Sequence, residues 1–231
     1  MKIGILETGR LPRRLAAYGA FDGMFRALLG EAHEYANWPV LDGVLPDDPA
    51  QCDGWIVTGS AAGAYDDLPW IAGLTRFLQE ARGRTRLVGI CFGHQIMAQA
   101  FGGRVEKSAR GWGLGLHEYA VRERVPWMDG AATFAVPVSH QDQVVAPPPG
   151  ARVVAASDFT PIAALAYDDG SAISFQCHPE FTPSFAAELV ALRRPEEFDD
   201  VRRAAALASL QRPNDNARLG GWINRFLGER G

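Results

Sequence analysis

Two kinds of apolar pattern take turns along the first half of the chain. The runs Lys2–Leu6 (KIGIL), Asp53–Gly59 (DGWIVTG) and Arg86–Ile90 (RLVGI) are apolar nearly throughout, which predicts strands covered on both faces. Between them, apolar residues recur at helical spacing. Phe21, Met24, Phe25, Leu28 and Leu29 form one stripe, closed by Gly30. Trp70, Ile71, Leu74, Phe77, Leu78 and Ala81 form a second behind Pro69, a residue suited to a first helical turn. Ile96, Met97, Ala100 and Phe101 form a third. Doubly covered strands alternating with amphipathic helices predict an α/β, doubly wound, mostly parallel sheet in three layers.

The second half changes character. From Arg104 to Gln176 the chain offers short extended segments (RVEK, GLHEYAV, TFAVPV, RVVAAS, IAALAY, AISFQ) separated by Gly, Pro and Asp turns. An antiparallel extension of the sheet is expected there. Ala146–Gly150 (APPPG) is a surface turn too short to link domains, and Leu219, Trp222, Ile223, Phe226 and Leu227 stripe a closing helix. Residues 1–231 therefore read as a single domain, long enough for one substantial core.

Charge and composition narrow the chemistry. The net charge is −4 and basic residues are spread along the chain, so no nucleic-acid partner is expected. MKIGILETGR lacks the features of a signal peptide and no apolar run approaches membrane-spanning length, which predicts a cytoplasmic protein with no membrane partner. Cys52, Cys91 and Cys177 are odd in number and scattered, fitting neither a disulfide framework nor a zinc site. No metal and no cofactor is expected, and any special role for a cysteine is chemical.

Cys91 is the cysteine in question. Gly89-Ile90-Cys91-Phe92-Gly93 places it between a strand and a helix, flanked by glycines. Two readings divide the pentapeptide evenly. One is a buried cysteine beside glycines that permit close packing. The other is a nucleophile on a tight turn, its backbone held in an unfavourable conformation, with the helix N-terminus favouring thiolate over thiol.

Phe175–Phe181 (FQCHPEF) tips the balance. His178 and Glu180, two apart on an extended stretch, point the same way, and Pro179 resists helix formation. A carboxylate beside an imidazole fixes its tautomer and stabilises the imidazolium. Cys91, His178 and Glu180, each near a strand end, make a catalytic triad the better explanation. Their order departs from the α/β-hydrolases, where the acid precedes a final histidine. The N–H of Phe92, and Gly59 or Ser60 from the TGSAAG turn, are the candidate oxyanion donors.

The other histidines sort less sharply. His94, on the first helical turn, either borders the pocket or serves as a polar partner near the helix start, the better-supported role. His33 and His117 read as surface or strand residues. His140, in PVSHQDQV, reads as a loop residue that lines a polar pocket or holds a turn with Asp142.

Taken together, GICFGHQ, CHPEF and SHQDQV resemble the nucleophile, His-Pro-Glu and substrate-holding motifs of the class I (triad-type) glutamine amidotransferases, in family order over Thr58–Phe181. The resemblance extends to the glutaminase domain of GMP synthetase and to stand-alone γ-glutamyl peptidases. It implies a flavodoxin-like sheet and a γ-glutamyl thioester on Cys91. His178 would be the base and acid, and Glu180 its partner. Gln95 and the segment Ser139, His140 and Gln141 would hold substrate, together with Gly59. Ser60 and Gln141 stand where the family often has glycine.

The implied reaction is cleavage of glutamine to glutamate and ammonia. After Phe181 only about fifty residues remain, too few for a synthetase domain. The expected partner is thus a small γ-glutamyl substrate, and either a separate synthetase subunit receives the ammonia or the enzyme simply hydrolyses a γ-glutamyl bond. The alternatives are a γ-glutamyl peptidase acting on glutathione-like peptides and a non-catalytic regulatory subunit of a synthetase. A redox or aldehyde-processing thiol is disfavoured by the acid of the His-Pro-Glu stretch.

Overall fold

The computed structural model describes residues 1–193 and 198–228. In chain order the strands and helices are β1 (Lys2–Glu7), α1 (Phe21–Leu29), β2 (Glu34–Pro39), β3 (Gly54–Val57), α2 (Pro69–Ala81), β4 (Arg86–Ile90), α3 (Phe92–Ala100), β5 (Arg104–Lys107) and β6 (Gly113–Val121). There follow β7 (Thr133–His140), β8 (Asp142–Ala146), β9 (Ala151–Ala156), β10 (Ala164–Tyr167), β11 (Ala172–Phe175), α4 (Pro183–Leu192), α5 (Asp200–Ser209) and α6 (Asn216–Gly228).

Nine strands form one sheet in the order β2-β1-β3-β4-β11-β10-β9-β6-β7, and β5 pairs with β8 in a separate ribbon. From β2 to β11 every pairing is parallel, in the spatial order of a doubly wound, flavodoxin-like sheet. From β11 outward to β7 the pairings are antiparallel, which is the expected extension.

Alternation along the central strands makes the three layers. Ile3, Ile5, Ile56, Val88, Ile90 and Ile173 face α1 and α6, where Phe25, Leu29, Trp222, Ile223 and Phe226 close one core. Leu6, Trp55, Val57 and Leu87 face the other way, onto Leu74, Phe77 and Leu78 of α2 and Ile96 and Met97 of α3. Trp222 is fully buried, and truncation of a side chain of that size to alanine costs roughly 3–5 kcal/mol.

Two strands escape the periodicity reading. β2 is an edge strand whose residues are only half-buried or exposed, so Glu34 and Asn37 are tolerated and no apolar run marks it. β8 lies in SHQDQV, read above as a loop. The chain leaves the main sheet at His140 and re-enters pairing with β5 at Asp142, so Gln141 is the joint between two sheets. Among the described residues no helix is long and apolar enough to cross a membrane.

Candidate active site

Cys91 is the single residue between β4 and α3, with φ 54° and ψ −102°. Among the described residues it is the one non-glycine with positive φ, a conformation that costs a side-chain-bearing residue about 1–3 kcal/mol. Its N–H donates to the Phe175 carbonyl at 2.8 Å and its carbonyl accepts from Gln95 N–H at 3.1 Å, pinning the turn to β11 on one side and α3 on the other.

The flanking glycines answer a separate demand. A Cβ on Gly89 would lie 2.5 Å from the Gly93 carbonyl oxygen, and one on Gly93 would lie 2.2 Å from that of Val57. The glycines thus serve close packing, and the turn between them is strained at the cysteine.

β11 runs parallel beside β4 with Phe175 opposite Ile90, so the residues leaving β11 emerge level with Cys91. His178 is anchored by its N–H to the Pro137 carbonyl (2.9 Å), and its Nδ1 lies 2.7 Å from Glu180 Oε1. Both side chains are buried, at 4% and 0% exposure. Bonding of Nδ1–H to the carboxylate leaves Nε2 as the nitrogen able to exchange a proton.

Burial by itself would disfavour the imidazolium. Electrostatic interaction and hydrogen bonding with Cys91 and Glu180 outweigh it and push the His178 pKa up to about 10. The Phe181 ring stacks flat on the imidazole, and Phe185 meets Phe181 edge-on. A Cβ on Gly59 would stand 2.8 Å from His178 Cε1, so glycine there makes room for the ring.

Two cavities of about 300 Å³ each meet at Cys91 and share Ser60, Ala61, Ser139 and Arg193. The polar one is lined by Asp66, Gln95, Lys107, His140, Gln141 and Asp142, among others. The apolar one contains Leu11, Phe21, Phe185, Leu189 and Leu192, together with Gly59 and His178. Cys91, 5% exposed, lines both.

Cys91, His178, Gly59, Ser60, Gln95, Ser139, His140 and Gln141 are therefore brought to one mouth of the sheet. Phe92 turns its ring into the core against Trp70, leaving its backbone N–H in the first turn of α3, where no intrahelical acceptor exists. Ser60 Oγ accepts from Ala62 N–H at 3.2 Å, so its side chain is engaged within its own loop.

His140 lines the polar cavity and also holds its turn, through the Asp142 carbonyl at 3.2 Å and not the Asp142 side chain. Contrary to the loop assignment, it ends β7 and is buried, which lowers its pKa to about 3 and keeps it neutral. His94 takes the second of its two readings. It is buried between Ser174 Oγ (2.8 Å) and the Ile162 carbonyl (3.2 Å), away from both cavities. His33 meets Asn224 Oδ1 and His117 lies in β6.

Three site residues were missed. Gln176 Nε2 lies 3.6 Å from Cys91 Sγ, and its Oε1 accepts from Gln95 Nε2 at 3.2 Å. Standing two before His178 on the same extended stretch, it carried a readable signal. Phe181 closed the quoted motif. Arg193, which donates to Ser139 Oγ and lies 3.7 Å above the Trp112 ring, had none, because α4 brings it back over the site from beyond the motifs.

A glycine-flanked cysteine and an acid-paired histidine stand at the carboxyl ends of parallel strands in a flavodoxin-like sheet, the edge where open α/β sheets gather their ligands. The profile of the glutamine amidotransferase class-I family matches residues 43–191, and the chain belongs to that family. It is 30% identical to γ-glutamyl peptidase 5 of Arabidopsis thaliana over 184 residues, 75% of this chain and 73% of that protein. It is 29% identical to a glutamine amidotransferase-like protein of Schizosaccharomyces pombe over 92% of both chains. A segment of 96 residues, 41% of this chain and 18% of the other, is 47% identical to the glutamine-hydrolysing GMP synthase of Thermus thermophilus. A glutamine amidotransferase from Thermotoga maritima has the same fold, with TM-score 0.80 at 15% identity over 99% of both chains.

Proposed function

We propose that this chain is a single-domain cytoplasmic enzyme that hydrolyses a γ-glutamyl amide through a thioester on Cys91. The observation that carries the reading is that Cys91 and His178 line one cavity while Glu180 Oε1 lies 2.7 Å from the imidazole Nδ1. The sulfur adds to the amide carbonyl carbon, and the displaced electron pair moves onto oxygen, facing the Phe92 N–H and a donor from the Gly59–Ser60 turn. The tetrahedral centre collapses, the C–N bond breaks, and the proton held on His178 passes to the leaving nitrogen.

Water then adds to the thioester and gives its proton to His178. The C–S bond breaks, releasing glutamate and restoring the thiolate–imidazolium pair. The sum is amide plus water giving glutamate plus amine, or ammonia when glutamine is the substrate. Glu180 orients the ring through both steps.

The polar cavity suits the glutamyl end. Asp66 and Asp142 there carry negative charge, and Lys107 and Arg193 positive, matching an α-ammonium and an α-carboxylate. The test is release of glutamate from glutamine and γ-glutamyl dipeptides by the wild type and by Cys91→Ala. Turnover by the wild type and its loss in the variant are expected. Equal turnover by the two removes Cys91 as the nucleophile.

A further inference from the structure

An amide places its acyl part and its nitrogen substituent on opposite sides of the carbonyl carbon. With that carbon at Cys91, one cavity receives the acyl part and the other receives the leaving group. If the polar cavity takes the zwitterionic glutamyl end, as the proposed function has it, the apolar cavity is left for the amine. Beside the guanidinium groups of Arg10 and Arg193, its walls carry large apolar side chains that ammonia does not require. Leu11 comes from the segment after β1, Phe21 from α1, and Phe185, Leu189 and Leu192 from α4.

Leu11, Leu189 and Leu192 are half-buried rather than sealed in the core, so their apolar surface is presented to the cavity. The size points the same way. A water-sized molecule takes about 30 Å³, so ammonia would fill roughly a tenth of this space of about 300 Å³.

We infer that the apolar cavity is a leaving-group subsite, and that the substrate is a γ-glutamyl amide of an amine bearing an apolar or aromatic group, apolar amino acids included. This rests on the γ-glutamyl reading of the polar cavity. The chemistry is that given above, with the proton from His178 going to the nitrogen of the apolar amine as the C–N bond breaks. Placing the amine's apolar group against Phe185 and Leu189 removes it from water while the carbonyl sits at the sulfur. Binding of this kind separates an apolar amine from a small one by about tenfold to a hundredfold.

The experiment compares kcat/KM for γ-glutamylphenylalanine, γ-glutamylglycine and glutamine, in the wild type and in Leu189→Glu, with circular dichroism as the check on folding. The wild type is expected to favour γ-glutamylphenylalanine over both others by about tenfold or more. Leu189→Glu is expected to bring the ratio of the two dipeptides toward one. Leu11→Ser, on a separate segment, reads the same ratio should Leu189→Glu fail to fold. Equal kcat/KM for the two dipeptides, a preference for glutamine, or an unaltered ratio in the folded variants overturns the inference and leaves γ-glutamyl hydrolysis standing. Absence of turnover of all three by the wild type overturns both.

Discussion

The ring of Phe181 lies on the imidazole of His178 with centroids 3.9 Å apart and planes 5° from parallel. A π face against an imidazolium favours the charged form and fixes the ring's tilt. Phe181→Leu keeps an apolar filler but loses the face. The expected result is a fall in kcat of about tenfold, with the alkaline limb of the pH–rate profile displaced downward by about half a unit to one unit. A purely structural role would leave that limb in place.

Gly59 tests the opposite edge of the same ring. An alanine methyl group would stand 2.8 Å from His178 Cε1, and the imidazole, stacked on Phe181 and bonded to Glu180, must give way. Gly59→Ala is expected to lower kcat by about a hundredfold, the effect of a misplacement on the order of 1 Å, in a protein that still folds. Steady-state kinetics beside a thermal melt will check this.

Strain at Cys91 predicts an ordering of two inactive variants. Cys91→Ala retains a Cβ at φ 54°, whereas Cys91→Gly relieves it at some cost in unfolded-chain entropy. The glycine variant should be the more stable by about 1 kcal/mol in denaturant titrations, the difference between relief of roughly 1–3 and an entropic loss of 0.4–1 kcal/mol. An alanine variant as stable as the glycine one would mean that the turn stores no strain.

Buried histidines set the pH dependence of stability from both sides. Burial lowers His94 to about 4 and His140 to about 3, below the unfolded value near 6.5. Their contribution is present above about pH 6.5 and is lost as pH falls through those values, on the order of 3 kcal/mol for His94. His178, raised to about 10, contributes fully below about pH 6.5, and that contribution is lost as pH rises through 10. Melting temperatures across pH 3–10 should therefore peak near neutrality. His94→Gln should flatten the acid limb and His178→Asn the alkaline one.

The sequence by itself determined what local physics can carry. The buried runs of β1, β3 and β4 and the stripes of α1, α2, α3 and α6 were legible because side-chain period follows directly from backbone geometry. Cys91, His178 and Glu180 were legible because glycines, a proline and two-residue spacing constrain the chain within a few positions.

Only the tertiary structure decided the rest. β2 is a strand because it pairs with β1 at an edge, and SHQDQV passes from one sheet to another because β5 is there to receive β8. The division of the cleft into polar and apolar halves depends on α4, which returns Phe185, Leu189 and Arg193 over a cysteine about a hundred positions earlier in the chain. Contacts across such separations are chosen by the packing of whole layers, and no short pattern of residue types encodes them.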